Sequence, residues 1–327
     1  MNWKLKSLVQ RVCAALPVGQ EGAYFLIQRT LGRLRHPPEP WENLRAAAEI
    51  ATELPWSLEG MRVMEVGTGR RVDMPLAVYL LGAAHVHTFD LYRYLREEFV
   101  WAAVGAFVRQ REKVHEALGA LVPTEVLDRR LTALASAPSV RDVLRVSGIQ
   151  YHAPADAAKT GLPDGSIDLH FSYTVFEHIP GEVLRSILRE ASRVVAPQGV
   201  ACHHIDPSDH FAHADASINF VNFLRYGEAE FARYNNNQFA YHNRLRVTDY
   251  RQLYADVGHE VLKWITSRDE RSLRDLAAGF PVAAPFGGLS HEDLATTVVR
   301  SISRPLSVAR ATAASSDRPV LNATGEC

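Results

Sequence analysis

The chain has 327 residues, is 47% hydrophobic and carries a formal net charge of -1. That suffices for one large core, or a core with a small cap, and argues against a general nucleic-acid binder, which is usually strongly basic. Cys13, Cys202 and Cys327 are scattered and odd in number, so they build neither a disulfide framework nor a CxxC metal pair, and a reducing cytoplasm is expected. No apolar run approaches the roughly 20 residues of a membrane helix, and the N-terminus does not read as a signal peptide.

The first 36 residues hold Lys4, Lys6, Arg11, Arg29, Arg33 and Arg35 against one acid, Glu21. Leu5, Leu8, Val9 and Val12 recur at helical spacing beside them, so residues 1–58 read as a basic helical extension. Such a segment can touch an anionic membrane surface. The favoured reading is a helix packed on the protein with its charges in water.

Met61-Arg-Val-Met-Glu65 is an apolar run ending in an acid, Gly67 and Gly69 make a tight turn, and an amphipathic helix starts near Asp73. A second strand, His85–Phe89, ends in Asp90, about 20 residues past the glycines, the spacing at which a carboxylate can hold a ribose. A dinucleotide fingerprint wants a third glycine where Val72 stands, which counts against a nicotinamide-dependent oxidoreductase.

From Leu91 to Gly148 the pattern is helical. Tyr92, Leu95, Phe99, Val100, Phe107 and Val108 fall mostly on one stripe, Val114, Leu118 and Leu121 continue it, and Pro123 breaks it; Val126–Leu134 and Val140–Val146 follow. Leaving from the carboxyl end of the second strand, this insertion is expected near the ligand edge of the sheet, as a cap or a homodimer element, with passive decoration as the alternative. Ile149–His152 reads as a third strand followed by Asp156. Leu162–Tyr173 reads as a fourth, launched by Pro-Asp-Gly and leaving through Glu177 and His178. A helix from Glu182 to Val195 and a fifth strand from Val200 to Ile205 complete the alternation.

Glu65-Val-Gly67-Thr-Gly69, with Asp90, Asp156 and the Pro-Asp-Gly strand at these distances, resembles class I S-adenosylmethionine-dependent methyltransferases over roughly residues 60 to 305. The resemblance implies a doubly wound, Rossmann-like α/β fold with a seven-stranded sheet, mostly parallel with an antiparallel last strand at the edge, in a domain over residues 59–304. It implies S-adenosylmethionine as cofactor, with Glu65, Gly67, Thr68 and Gly69 in its loop, Asp90 and Leu91 at the ribose, Asp156 and Ala157 at the adenine edge, and Tyr173 nearby. Two departures stand out: Arg71 replaces a third small residue, and the 91–148 insertion is long. A non-catalytic, methyltransferase-like partner protein would need a spoiled cofactor site, and Arg71 alone points that way.

The ends of strands four and five should face the methyl acceptor. Glu177 and His178 follow strand four; His203, His204, Asp206, Asp209, His210, His213 and Asp215 follow strand five or end it. Histidine is the usual general base near neutral pH, so His178 and His204 are the catalytic candidates. By strand alternation Asp206 shares a face with His204, where it can orient the imidazole. Glu177 has the plain reading of an acid at a helix N-terminus. The cluster has metal-ligand chemistry, yet no clean H-x-x-x-H plus acid pattern, and no metal is assigned.

Between Ile218 and Arg246, asparagines, aromatics and arginines interleave without a period. With His210, the side chains of Asn235, Asn237, Asn243, Arg244 and Arg246 form an expected acceptor site, since amides and guanidiniums bond hydroxyls and aromatic faces cover sugar rings. Ile205-Asp-Pro-Ser-Asp-His210, Asn222-Phe-Leu-Arg-Tyr226 and Asn243-Arg-Leu-Arg246 also resemble bacterial methyltransferases of surface-polysaccharide and glycoconjugate pathways. That resemblance implies O-methylation of a sugar or sugar-bearing lipid; a small secondary metabolite is the alternative acceptor. Thr248 is expected to cap a helix from Asp249 to Val257, before a sixth strand at Glu260–Ile265 and a seventh at Thr296–Ile302. Residues 305–327 read as a disordered tail.

Overall fold

The computed structural model describes residues 2–17, 19–30 and 39–306. The expectations for Arg33, Arg35, Cys327 and the tail past residue 306 lie outside the described residues.

Among the described residues, seven strands form one sheet: β1 (Arg62–Val66), β2 (His85–Phe89), β3 (Ile149–His152), β4 (Ile167–Tyr173), β5 (Val195–Ile205), β6 (His259–Arg268) and β7 (Thr296–Pro305), in the order β3-β2-β1-β4-β5-β7-β6. β1 to β5 run parallel, and β7 is antiparallel to both its neighbours, β5 and β6. The doubly wound sheet is as expected, except that the edge strand is β6. The reason lies in the side chains: Glu260, Lys263 and Arg268 leave β6 largely exposed, whereas Val299, Ser301, Ile302 and Ser303 of β7 are buried.

The helices α1 (Trp3–Ala14), α2 (Gln20–Thr30) and α3 (Trp41–Glu53) precede the sheet. α4 (Asp73–Leu80) joins β1 to β2, and α5 (Glu97–Arg109), α6 (Arg111–Leu118), α7 (Thr124–Ala135) and α8 (Val140–Val146) lie between β2 and β3. α9 (Gly181–Val194) joins β4 to β5; α10 (Glu228–Asn235) and α11 (Val247–Asp256) lie between β5 and β6; α12 (Glu270–Ala277) and α13 (His291–Leu294) lie between β6 and β7.

Alternation along β1 sends Val63 and Met64 to opposite faces. On the first face Val63 and Val86 pack with Leu44 of α3, Leu76 of α4, Phe107 of α5, Leu118 of α6 and Leu131 of α7. On the second, Met64 and Val66 pack with Leu184 and Leu188 of α9 and Tyr250 and Leu253 of α11. Two boundaries move as a result. α3 is part of the main core, not of an N-terminal extension. The 91–148 insertion begins at the ligand edge, where Tyr92 N–H donates to Asp90 and Arg96 N–H to the Arg70 carbonyl, but the apolar stripes of its helices fill a face of the sheet.

α1 packs on the protein, as favoured, but with another stripe. Trp3, Ser7, Gln10 and Cys13 are buried, whereas Leu5, Leu8 and Val12 stay exposed. Its inward donors find acceptors: Trp3 N–H donates to Asp215, Ser7 Oγ to the carbonyl of Tyr234, and Gln10 Nε2 to the carbonyl of Phe239. Thr248 is not the cap of α11. The helix begins at Val247, and the Asp293 carboxylate accepts from the N–H groups of Val247 and Thr248 and from the Thr248 hydroxyl, which is thereby spent. Among the described residues no helix is long and apolar enough to cross a membrane.

Candidate active site

Strand order reverses between β1 and β4, and the crevice beyond their carboxyl ends is where an open α/β sheet binds ligands. On the β1–β2 side, Gly67 has φ +90° and a Cβ there would lie 2.5 Å from Val175 Cγ2, so the loop rests against the turn that leaves β4. Gly69 has φ +64° with open space where its Cβ would be. Its N–H donates to Asp90 Oδ2 at 2.7 Å, and Tyr92 N–H donates to Asp90 Oδ1 at 2.9 Å. The carboxylate of Asp90 is thereby aimed across the loop, with lone pairs left for a diol. Asp156 is exposed at the end of β3 and accepts from Ala158 N–H; Ala157 is buried beside it and Leu91 is exposed. Glycine loop, open cradle and fixed carboxylate fit the adenosyl part of S-adenosylmethionine.

Glu65 sits beneath this loop. Its carboxyl accepts from the Thr88 hydroxyl, which is bonded in turn to the Thr68 hydroxyl, and burial pushes it up to about 8 against the pull of Thr88. Glu65 and Thr68 therefore brace the loop from inside. Arg71 turns to Asp73 and the carbonyl of Glu39, away from the cradle.

The β4–β5 side is assembled from distant segments. After β4 the turn Phe176–His178 places Glu177 inward and His178 in a cavity of about 520 Å³. The remaining polar lining is Lys6, Gln10, Gln28, Asp209, His210, His213, Asn235 and His242, and the rest of the lining includes Leu5 and Val9 of α1, Tyr24 and Ile27 of α2, and Phe211, Phe223, Phe231 and Phe239. The His178 ring is close to solvent inside this cavity yet walled by protein, and burial with the nearby His210 pushes it down to about 4, leaving it neutral near pH 7. Its Nδ1 lies 2.9 Å from the Tyr241 carbonyl, which can only accept, so Nδ1 carries the proton and Nε2 presents a lone pair. The rings of His178 and His242 lie 4.8 and 5.0 Å from that of His210, and His213 lies 5.5 Å from it. Glu177 is fully buried, and burial raises its carboxyl well above the usual range; the N–H groups of Glu177 and Asp206 oppose this from outside hydrogen-bond geometry. Burial pushes Asp206 the same way, but the imidazoles of His210 and His213, 3.4 and 3.2 Å from its Oδ2, outweigh it and hold the carboxyl well below its ordinary value.

Several expected pairings do not form. Asp206 lies beyond the end of β5 and faces His210 and His213, not His204. His204 packs on Tyr173 at 4.6 Å and is pushed down to about 4 by burial and by Arg300; it does not line the cavity. His203 is buried between His170 and Tyr254. The expected acceptor residues are mostly spent inside the protein. Asn243 Nδ2 donates to the carbonyls of Phe176 and Ile179, each at 2.8 Å, and its N–H donates to the Glu177 carbonyl at 2.9 Å. Arg244 bonds the carbonyls of Phe223 and Tyr226 and pairs with Glu228. Arg246 is buried against the carbonyl of Thr296, and Asn237 caps Phe239 N–H. Of the five only Asn235 lines the cavity, with its Nδ2 already on the carbonyl of His242. Sequence reasoning missed the apolar wall contributed by α1 and α2; a helix of mixed polarity gives no sign of what it covers.

A methyltransferase domain family matches residues 118–203, from the end of α6 through β3, β4, the Glu177–His178 turn and α9 into β5. No curated protein matches the chain. Among solved structures, a putative methyltransferase from Bacillus halodurans is 15% identical with a TM-score of 0.40, over 80% of this chain and 96% of that one. A geranyl diphosphate C-methyltransferase from Streptomyces coelicolor is 12% identical with a TM-score of 0.43, over 91% and 88%. A magnesium protoporphyrin IX methyltransferase from Synechocystis with bound S-adenosylhomocysteine is 12% identical with a TM-score of 0.40, over 93% and 95%.

Proposed function

We propose that this chain, an S-adenosylmethionine-dependent methyltransferase, O-methylates an acceptor with an apolar body and a hydroxylated head. The supporting observation is the cavity itself: its walls are largely aliphatic and aromatic, and His178, His210 and His242 stand together among its polar groups. The polar lining, with Lys6, Gln10, Gln28, Asp209 and Asn235 beside the histidines, suits a hydroxylated head, and the aliphatic and aromatic walls suit an apolar body that a bare sugar lacks. A sugar-bearing lipid and a small secondary metabolite both belong to the class that fits.

The cofactor supplies a methyl group on a sulfonium, and its transfer is an in-line displacement. Gly67, Gly69 and Asp90 hold the adenosyl end, while Val175, against Gly67, fixes the distance between this loop and the Glu177–His178 turn. The aromatic walls seat the acceptor and exclude water, and such positioning supplies much of the acceleration in transfers of this kind. The acceptor O–H bond breaks with its proton passing to His178 Nε2. The oxygen pair forms the C–O bond as the C–S pair leaves with sulfur.

The test is transfer of a labelled methyl group to a panel of hydroxylated amphiphiles and matched bare sugars. Turnover should be confined to the amphiphiles, fall about 100-fold or more in His178→Ala and stay near wild type in His204→Ala. Equal turnover on bare sugars, or full turnover in His178→Ala, would overturn the reading.

A further inference from the structure

Around His210 the buried polar groups do not close on one another. Glu177 is 0% exposed, and neither of its carboxylate oxygens has a hydrogen-bond partner. His210 Nε2, also buried, makes no hydrogen bond of good geometry; it stands 4.0 Å from Glu177 Oε1 and 3.4 Å from Asp206 Oδ2. His213 Nε2 stands 3.2 Å from that same Asp206 oxygen. Ion pairs with the two histidines would settle Asp206, but they leave Glu177 unmatched, and a buried carboxylate without a partner is a feature folds avoid.

The spacing suggests what completes the set. Ligand atoms about 2.1 Å from a metal in a tetrahedral shell stand roughly 3.4 Å apart. His210 and His213 stand 3.4 and 3.2 Å from the shared Asp206 oxygen, close to that value. The donor atoms of Asp206, His210 and His213 all lie within 4.8 Å of one another, and so do those of Glu177, His178 and His210. Imidazole mixed with carboxylate suits zinc, manganese, iron or cobalt, whereas magnesium and calcium favour oxygen alone.

We propose that Asp206, His210 and His213 bind one divalent transition-metal ion beside the cavity, leaving a coordination position open near Glu177, with His178 Nε2 as the proton acceptor beside it. The ion holds the acceptor's hydroxyl and favours its loss of a proton; this role rests on the methyltransferase reading, while metal binding does not.

The experiment uses the full chain purified without chelators, assayed for metal content, then stripped and titrated with Co2+ while its visible d–d bands are read. S-adenosylhomocysteine binding is measured on the same samples. One ion per chain is expected, with intense bands of a four-coordinate site. Co2+ affinity should fall at least about 100-fold in His210→Asn and clearly in His213→Asn, with S-adenosylhomocysteine binding kept in both. A wild type that binds S-adenosylhomocysteine but takes up neither Co2+ nor Zn2+ ends the metal proposal and leaves the methyltransferase reading intact. Co2+ uptake unchanged in both variants overturns the ligand assignment. Metal uptake without S-adenosylhomocysteine binding keeps the site and removes its role in methyl transfer.

Discussion

At the carboxyl ends of β1 and β2 the polar groups answer one another: Gly69 N–H meets Asp90, and Glu65, Thr88 and Thr68 form one chain. All lie within residues 65–90, on two adjacent strands and the loops that leave them. At the ends of β4 and β5 the site draws on α1, α2, the Glu177–His178 turn, residues 206–213 and the stretch through His242, and it leaves buried atoms of Glu177, His210 and His242 without partners. A closed network holds its shape with or without a ligand. An open one is kept in place by its surroundings and is completed by what binds. Substitutions on the first side should therefore damage shape, and those on the second should damage chemistry.

The largest break should come at Gly67. Gly67→Ala would place a Cβ against Val175 on a backbone at φ +90°, costing about 3 kcal/mol from overpacking and left-handed strain together. Thermal unfolding checks this, and Val175→Ala in the same chain should recover only the part due to packing. On the other side, Asn243→Ala would strand the carbonyls of Phe176 and Ile179, for about 2 kcal/mol. Turnover should fall further than stability does, because that asparagine anchors the turn bearing Glu177 and His178; equal losses would show the turn to be positioned by something else.

Glu65 sharpens the comparison through pH. Its folded value of about 8 lies above the ordinary 4.5. Below 4.5 both folded and unfolded chains are protonated and nothing is lost. Between 4.5 and 8 only the unfolded chain releases the proton, so stability falls as pH rises through that window and levels off above it. Glu65→Gln should remove up to about 1.4 kcal/mol per pH unit of that slope, read from denaturant melts at several pH values. The smallest effect should be at Leu8, 49% exposed on the outer side of α1. Leu8→Ser should change stability by about 0.5 kcal/mol or less, and a larger loss would mean that side is covered.

What the sequence made legible follows the same division. Gly67, Gly69 and Asp90 were readable because close backbone approach and strand length fix them locally. Asn243 and Arg244 were misjudged because residue type tells what a side chain can bond, not whether the fold has already used it. Of the stripe Leu5, Leu8, Val9 and Val12, only Leu5 and Val9 reach the cavity, because hydrogen bonds from Ser7 and Gln10 and the ring of Trp3 set the orientation of α1. The partners for those bonds, Tyr234 and Phe239, stand more than 220 residues away in the chain.

The most direct test is calorimetric titration of the purified chain with S-adenosylhomocysteine, repeated on Asp90→Ala. The wild type should bind, and the variant should bind at least about tenfold more weakly, the loss of one charged hydrogen-bonding group. A folded wild type that binds none, or an Asp90→Ala chain that binds equally well, would contradict the assignment of the Gly67–Asp90 cradle to the cofactor.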